Sequence, residues 1–216
     1  MRLTELLVAI AICQRGVEHL GRETWLFGTQ MGLAALLLAG YGQPWVISAL
    51  WFSGLWQLHR FDGPYNGGSD KMVLLVLTCL LVAHWAPAFG GVALGYLAVQ
   101  LTLSYLVSGW VKLRSAEWRH GNALAAVFMY SAYPTSEALR SLARRRTLMK
   151  YASLGVIAFE VLFAFSLMHP ASLFFALSLA FVFHLANAVL FGLNRFVWAW
   201  LSAFPALVWF QSELLI

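Results

Sequence analysis

The sequence predicts an all-α membrane protein, a polytopic bundle of seven to eight transmembrane helices forming one domain over residues 1–216. Three observations carry this expectation. Hydrophobic residues make up 61% of the 216 and charged residues only 11%, where a soluble domain carries about 25% charged. The mean hydropathy is +0.75. The apolar stretches are also continuous and long enough for helices across a hydrocarbon core of about 30 Å. A β-barrel needs alternating segments of roughly ten residues, a pattern that the run from Met72 to Ala83 does not follow.

Taken in order, the first segment runs from Leu3 to about Leu20. It is apolar at Leu6, Leu7, Val8, Ile10 and Ile12, yet Arg15, Glu18 and His19 follow within two turns. It either lies in the interface or crosses with its polar end in a cavity. The second segment spans about Trp25 to Gly40 and ends in the turn Gly40-Tyr41-Gly42-Gln43-Pro44. The third runs from Pro44 to His59, and the polar, glycine-rich loop His59 to Lys71 follows. The fourth covers Lys71 to Trp85, and the fifth Gly91 to Lys112 after a turn at Pro87, Gly90 and Gly91. An amphipathic region from Ser115 to Lys150 includes a helix start at Pro134-Thr135-Ser136-Glu137. The sixth segment runs from Lys150 to Met168, the seventh from Ala171 to Leu193 and the eighth from Arg195 to Phe210. No internal repeat interrupts this series, and no secretory cleavage motif follows the first segment.

Charge supports these boundaries. If segments two to eight cross and the first does not, all 14 Lys and Arg residues fall on one side. They are Arg2, Arg15, Arg22, Arg60, Lys71, the group from Lys112 to Lys150, and Arg195. If the first segment also crosses, the N-terminus changes side. The positive-inside rule makes the basic face of this many-times-spanning plasma-membrane protein cytoplasmic. The net charge of +5 points to anionic membrane lipid as a partner rather than to nucleic acid. The run Arg144-Arg145-Arg146, with Arg140 and Lys150, reads as a headgroup contact or as a docking surface for a separate soluble or membrane partner protein. Cys13 and Cys79 stand apart in apolar segments, and no CxxC or Cys/His metal spacing is present.

Three polar clusters fall on the basic face. The first is Arg60, Asp62, Asn66, Ser69 and Asp70. The second is Lys112, Glu117, Trp118 and His120. The third is His184, Asn187, Asn194 and Arg195. His184 and Asn187 are three apart and share a helix face, which favours a place inside the bundle. Glu160 lies mid-segment, where a carboxylate is a candidate proton relay unless a structural partner silences it. Lys112 closes about twenty mostly apolar residues. A lysine there is either an interfacial anchor or a base, because withdrawal from water makes the neutral amine accessible. His84 and His184 belong at different depths, which argues against haem ligation between them.

The motifs, taken together, resemble those of a known family. Ser108-Gly109-Trp110-Val111-Lys112-Leu113, with Trp118 and Gly121 after it, is similar to the Gly-x-x-Lys-Leu…Trp-x-x-Gly signature of the vitamin K-dependent γ-glutamyl carboxylases. That family includes the bacterial horizontally transferred transmembrane (HTTM) proteins. Phe183-His184-x-x-Asn187-x-x-Leu190-Phe191, with Phe196 and Pro205, resembles a second family stretch, and Tyr65-Asn66-Gly67-Gly68-Ser69 a third. The resemblance implies Lys112 as the base that deprotonates a reduced quinone, with Asn66 and His184 lining the site. Arg60, Asp62, Asp70, Trp118 and Asn187, in the polar clusters of the same face, are expected to join Asn66 and His184 in binding the substrate. The resemblance departs at Gly68, where the carboxylase has a histidine, and at Ile216, where the carboxylase continues into an extramembrane domain. In the carboxylase the active face is lumenal, opposite to the side that the positive-inside rule assigns here. Two functions therefore stand side by side: a quinone-linked enzyme with Lys112 as base, and a non-catalytic membrane subunit or anchor holding a partner protein or a lipid-like ligand.

Overall fold

The computed structural model describes residues 1–19, 21, 23–60, 67–131 and 136–215, and among these it contains helices and turns but no strand. Among the described residues twelve α-helices follow one another: α1 (Arg2–His19), α2 (Thr24–Ala39), α3 (Gln43–Arg60), α4 (Gly68–Trp85), α5 (Gly90–Arg114), α6 (Ala116–Arg119), α7 (Asn122–Tyr130), α8 (Glu137–Arg140), α9 (Arg146–Leu162), α10 (Pro170–Phe191), α11 (Asn194–Leu201) and α12 (Phe204–Phe210). Among the described residues, four stretches are long and apolar enough to cross a membrane: Gly68–Trp85, Pro87–Arg114, Arg146–Met168 and Pro170–Phe191. The helices form two compact units. The first comprises Met1–Val99 with Arg195–Leu214, the second Gln100–Asn194.

In the first unit, α1 is a continuous helix packed along α2, with Val8, Ala9 and Ile12 buried. Its two ends meet different partners. Arg2 donates to the carbonyls of Leu37 and Leu38 at the C-terminal end of α2, where the Leu37 carbonyl also accepts from the Gly40 N–H of the helix cap. Arg15, thirteen residues on, donates to Asp70 in the first turn of α4 and to Gln30. Arg2 therefore meets the C-terminal end of α2 and Arg15 the first turn of α4, which fits the alternative in which the first segment also crosses and the N-terminus changes side. Partners make the polar residues of α1 tolerable. Buried Glu5 receives hydrogen bonds or ion pairs from Arg2 and His84 at 2.9 and 2.7 Å, and a buried charge persists only when paired in this way.

The second unit contains the remainder of α5, the short helices α6 to α8, α9 and α10. The region after Ser115 folds back rather than trailing off. Leu124 and Phe128 of α7 meet Met149 of α9 and Phe191 of α10 in one apolar cluster. Ser136 caps α8 by accepting from the Ala138 N–H at 3.1 Å, while Pro134 and Thr135 of that start signal lie outside the described residues. The eighth segment expected from the sequence is two helices, not one. Pro205 has no N–H and its ring collides with the carbonyl four residues back, at Leu201, where α11 ends.

Candidate functional site

Lys112, in the last turn of α5, meets Glu160 of α9. Its ammonium donates to both carboxylate oxygens, at 2.9 and 2.7 Å, and to the Ser108 hydroxyl one turn back. Ser108 itself donates to Glu160 Oε1 at 3.2 Å. The Lys112 side chain is 16% exposed and that of Glu160 is 5% exposed, so this is a largely buried ion pair. The Trp118 ring stands 5.2 Å from the ammonium and adds a cation–π contact. Trp118 is held from two sides. The Ser115 hydroxyl caps α6 through the Trp118 N–H, and Ser153 of α9 donates to the Trp118 carbonyl.

Two glycines make this pairing sterically feasible. A Cβ on Gly109 would lie 2.8 Å from both Glu160 Cβ and the Val161 backbone nitrogen, so α5 and α9 approach this closely only because the position has no side chain. Gly121 has φ +82°, and a Cβ there would fall 2.5 Å from the Lys150 nitrogen at the start of α9. The Gly109…Gly121 signature is thus a seam along α9 as well as the carrier of Lys112.

A second polar contact lies deeper on the same face of α5. Tyr105, Ser108 and Lys112 are spaced i, i+3, i+7 and line up along the helix. The Tyr105 hydroxyl and His184 Nε2 are 2.8 Å apart, both buried, with Phe159 and Phe163 around the tyrosine ring. Asn187 is half-buried one turn beyond His184 on α10, and its backbone carbonyl accepts from Leu193 in the helix cap.

The other sequence candidates are in the first unit. Asp70 is buried between Arg15 and Arg195, each 3.2 Å away. Arg60, at the end of α3, pairs with Glu23 at 3.4 Å. Asp62 and Asn66 lie outside the described residues. Three candidates therefore gather around one point, Lys112, Glu160 and Trp118. Ser108 and Tyr105 belong with them, though the sequence assigned neither a place in the site; their i, i+3, i+7 spacing with Lys112 is the signal that marks them. Arg15 also emerged only here, since its carboxylate partner is 55 positions away in the chain.

An all-helical chain with four membrane-length apolar helices and a charge pair buried in one of its helical units is an integral membrane protein. The HTTM domain family model matches residues 86–212, which take in α5, Lys112, Glu160 and His184. The chain belongs to the HTTM family. No curated protein and no solved structure matches it.

Proposed function

We propose that this protein is a multi-pass protein of a bacterial plasma membrane that binds a reduced quinone or similar hydrophobic ligand and takes a proton from it at Lys112. The carrying observation is the Lys112–Glu160 pair, two ionisable groups inside membrane-length helices, which are expensive there and mark function by default. The residues suit the ligand in kind: an amine base, a carboxylate beside it, and the Trp118 ring for a flat partner. Lys112 passes one ammonium proton to Glu160, and the neutral amine then takes the proton of a ligand hydroxyl. One proton has moved from ligand oxygen to Glu160, and the ligand anion faces the restored ammonium. The carboxylase resemblance supports the quinone as ligand and a peptide or protein as the object of a later step. Eight crossings follow if α1, α2, α3 and the α11–α12 pair traverse alongside the four longer stretches, and seven if α1 does not.

The test is turnover of vitamin K hydroquinone by the protein in proteoliposomes. Lys112→Arg keeps the charge but not the base, so turnover should vanish while ligand binding falls less than tenfold. Wild-type turnover in Lys112→Arg refutes the assignment. One observation favours a non-catalytic reading: the Lys112 ammonium is fully engaged by Glu160 and Ser108, as in an ion pair that only joins helices. The protein is then a membrane subunit or anchor, and exposed Arg144, Arg145, Arg146 and Lys150 form the surface for a partner protein. Copurification of such a partner, lost on charge reversal of those four residues and kept in Lys112→Ala, distinguishes this reading.

A further inference from the structure

A groove of about 460 Å³ runs between α9 and α10. Its walls are apolar, with Phe159, Leu162, Phe175 and Leu179 among them. Gly155 lies in its floor, and a Cβ there would meet nothing within 4 Å. That is the reverse of Gly109 and Gly121: this glycine leaves space open rather than letting a neighbour close in. Leu162 is two positions beyond Glu160, about 200° round a helix of 3.6 residues per turn, so that wall of the groove faces away from the ion pair, while Phe159 and Phe163 line the groove and also pack against Tyr105.

One end of the groove is polar. Ser166 lies there, beside the His169–Pro170 turn that joins the two helices, and its side chain is 6% exposed. Its hydroxyl oxygen has no hydrogen-bond partner in the chain, a state that costs free energy until an acceptor is supplied. The neighbouring Ser172 hydroxyl is already satisfied by the carbonyls of Ser166 and His169. From this end the floor runs inward along the helix axes, about 10 Å from Leu162 to Gly155 at 1.5 Å per residue. An apolar channel along the helix axes with one unmet hydroxyl at its interfacial end matches an amphiphile that has a carbonyl at the head of a hydrocarbon chain.

We propose that the α9–α10 groove holds one acyl chain of an ester-linked membrane glycerolipid, with the ester carbonyl accepting from Ser166. The experiment places the intact protein in nanodiscs of phosphatidylcholine carrying a diazirine in one acyl chain and maps the photo-crosslinks by mass spectrometry. Crosslinks should concentrate on residues 155–179 at least fivefold over exposed Val92 and Tyr96 of α5. Gly155→Leu should remove that excess while leaving labelling of α5 unchanged. Ser166→Ala, or an ether-linked lipid without the carbonyl, should each lower it at least twofold. The ether-lipid arm needs no variant, so it decides the matter even if Gly155→Leu fails to fold. Even labelling of all outward-facing helices shows ordinary annular lipid and overturns the proposal. So does ether lipid labelling as strong as ester lipid, and so does displacement by an equimolar isoprenoid quinone, which would assign the groove to a quinone tail.

Discussion

Removing one member of the Lys112–Glu160 pair strands the other charge among apolar neighbours. Glu160→Leu leaves the ammonium with the Ser108 hydroxyl and the Trp118 ring, and Lys112→Met leaves the carboxylate with Ser108 alone. Breaking a buried pair from one side costs about 3–5 kcal/mol, whereas replacing both partners by apolar side chains is often neutral or stabilising. Lys112 keeps 16% of its side chain exposed and can turn toward water, so the stranded lysine costs less than the stranded glutamate. We expect Glu160→Leu to destabilise by about 3 kcal/mol, Lys112→Met by about 4 kcal/mol, and the double variant by less than either. At about 2–4 °C per kcal/mol for a chain of this size, the single variants should melt about 6–16 °C lower. The assay is thermal unfolding of the purified protein in mild detergent, read as a double-mutant cycle. Single shifts under 2 °C that simply add in the double variant would refute a buried, coupled pair and remove the basis for a proton-sharing site.

Gly109→Ala brings its Cβ to 2.8 Å from the Val161 backbone nitrogen, so α5 and α9 must part; we expect a loss of about 1–3 kcal/mol and, in the turnover assay, at least tenfold lower activity because Lys112 and Glu160 separate. Melting and turnover equal to wild type would show that the helices do not approach this closely. Asp70→Ala leaves buried Arg15 with only the neutral Gln30 amide and Arg195 with only Glu18; a loss of about 3–5 kcal/mol is expected, and Asp70→Ala with wild-type melting would place Asp70 at the surface.

Much of the fold was readable in advance for a simple reason. In a bilayer, apolar length sets the spans, and turns are forced where glycine, proline and charge cluster. The ends of α2, α4, α5 and α10 fall within a few residues of the expected segments for that reason. The eighth segment was misjudged although the sign was visible: Pro205 acts on Leu201, four residues upstream, through the backbone. The first segment stayed open between interface and crossing because Arg15, Glu18 and His19 follow its apolar run, and the partners that make buried Arg15 and Glu5 tolerable lie largely on α4 and α2. Those partners are 79 positions away for His84 and 15 for Gln30.

The candidate site divides along the same line. Composition and periodicity by themselves determined a helical membrane protein, the place of Lys112 at a helix end, and the presence of a carboxylate mid-span at Glu160. Which charge pairs with which was decided by tertiary structure alone. Glu160 takes Lys112, 48 positions away, and Asp70 takes Arg15 and Arg195. Local sequence records the cost of burying each group but not its partner, because the compensating ion arrives on another helix whose approach depends on a missing side chain at Gly109.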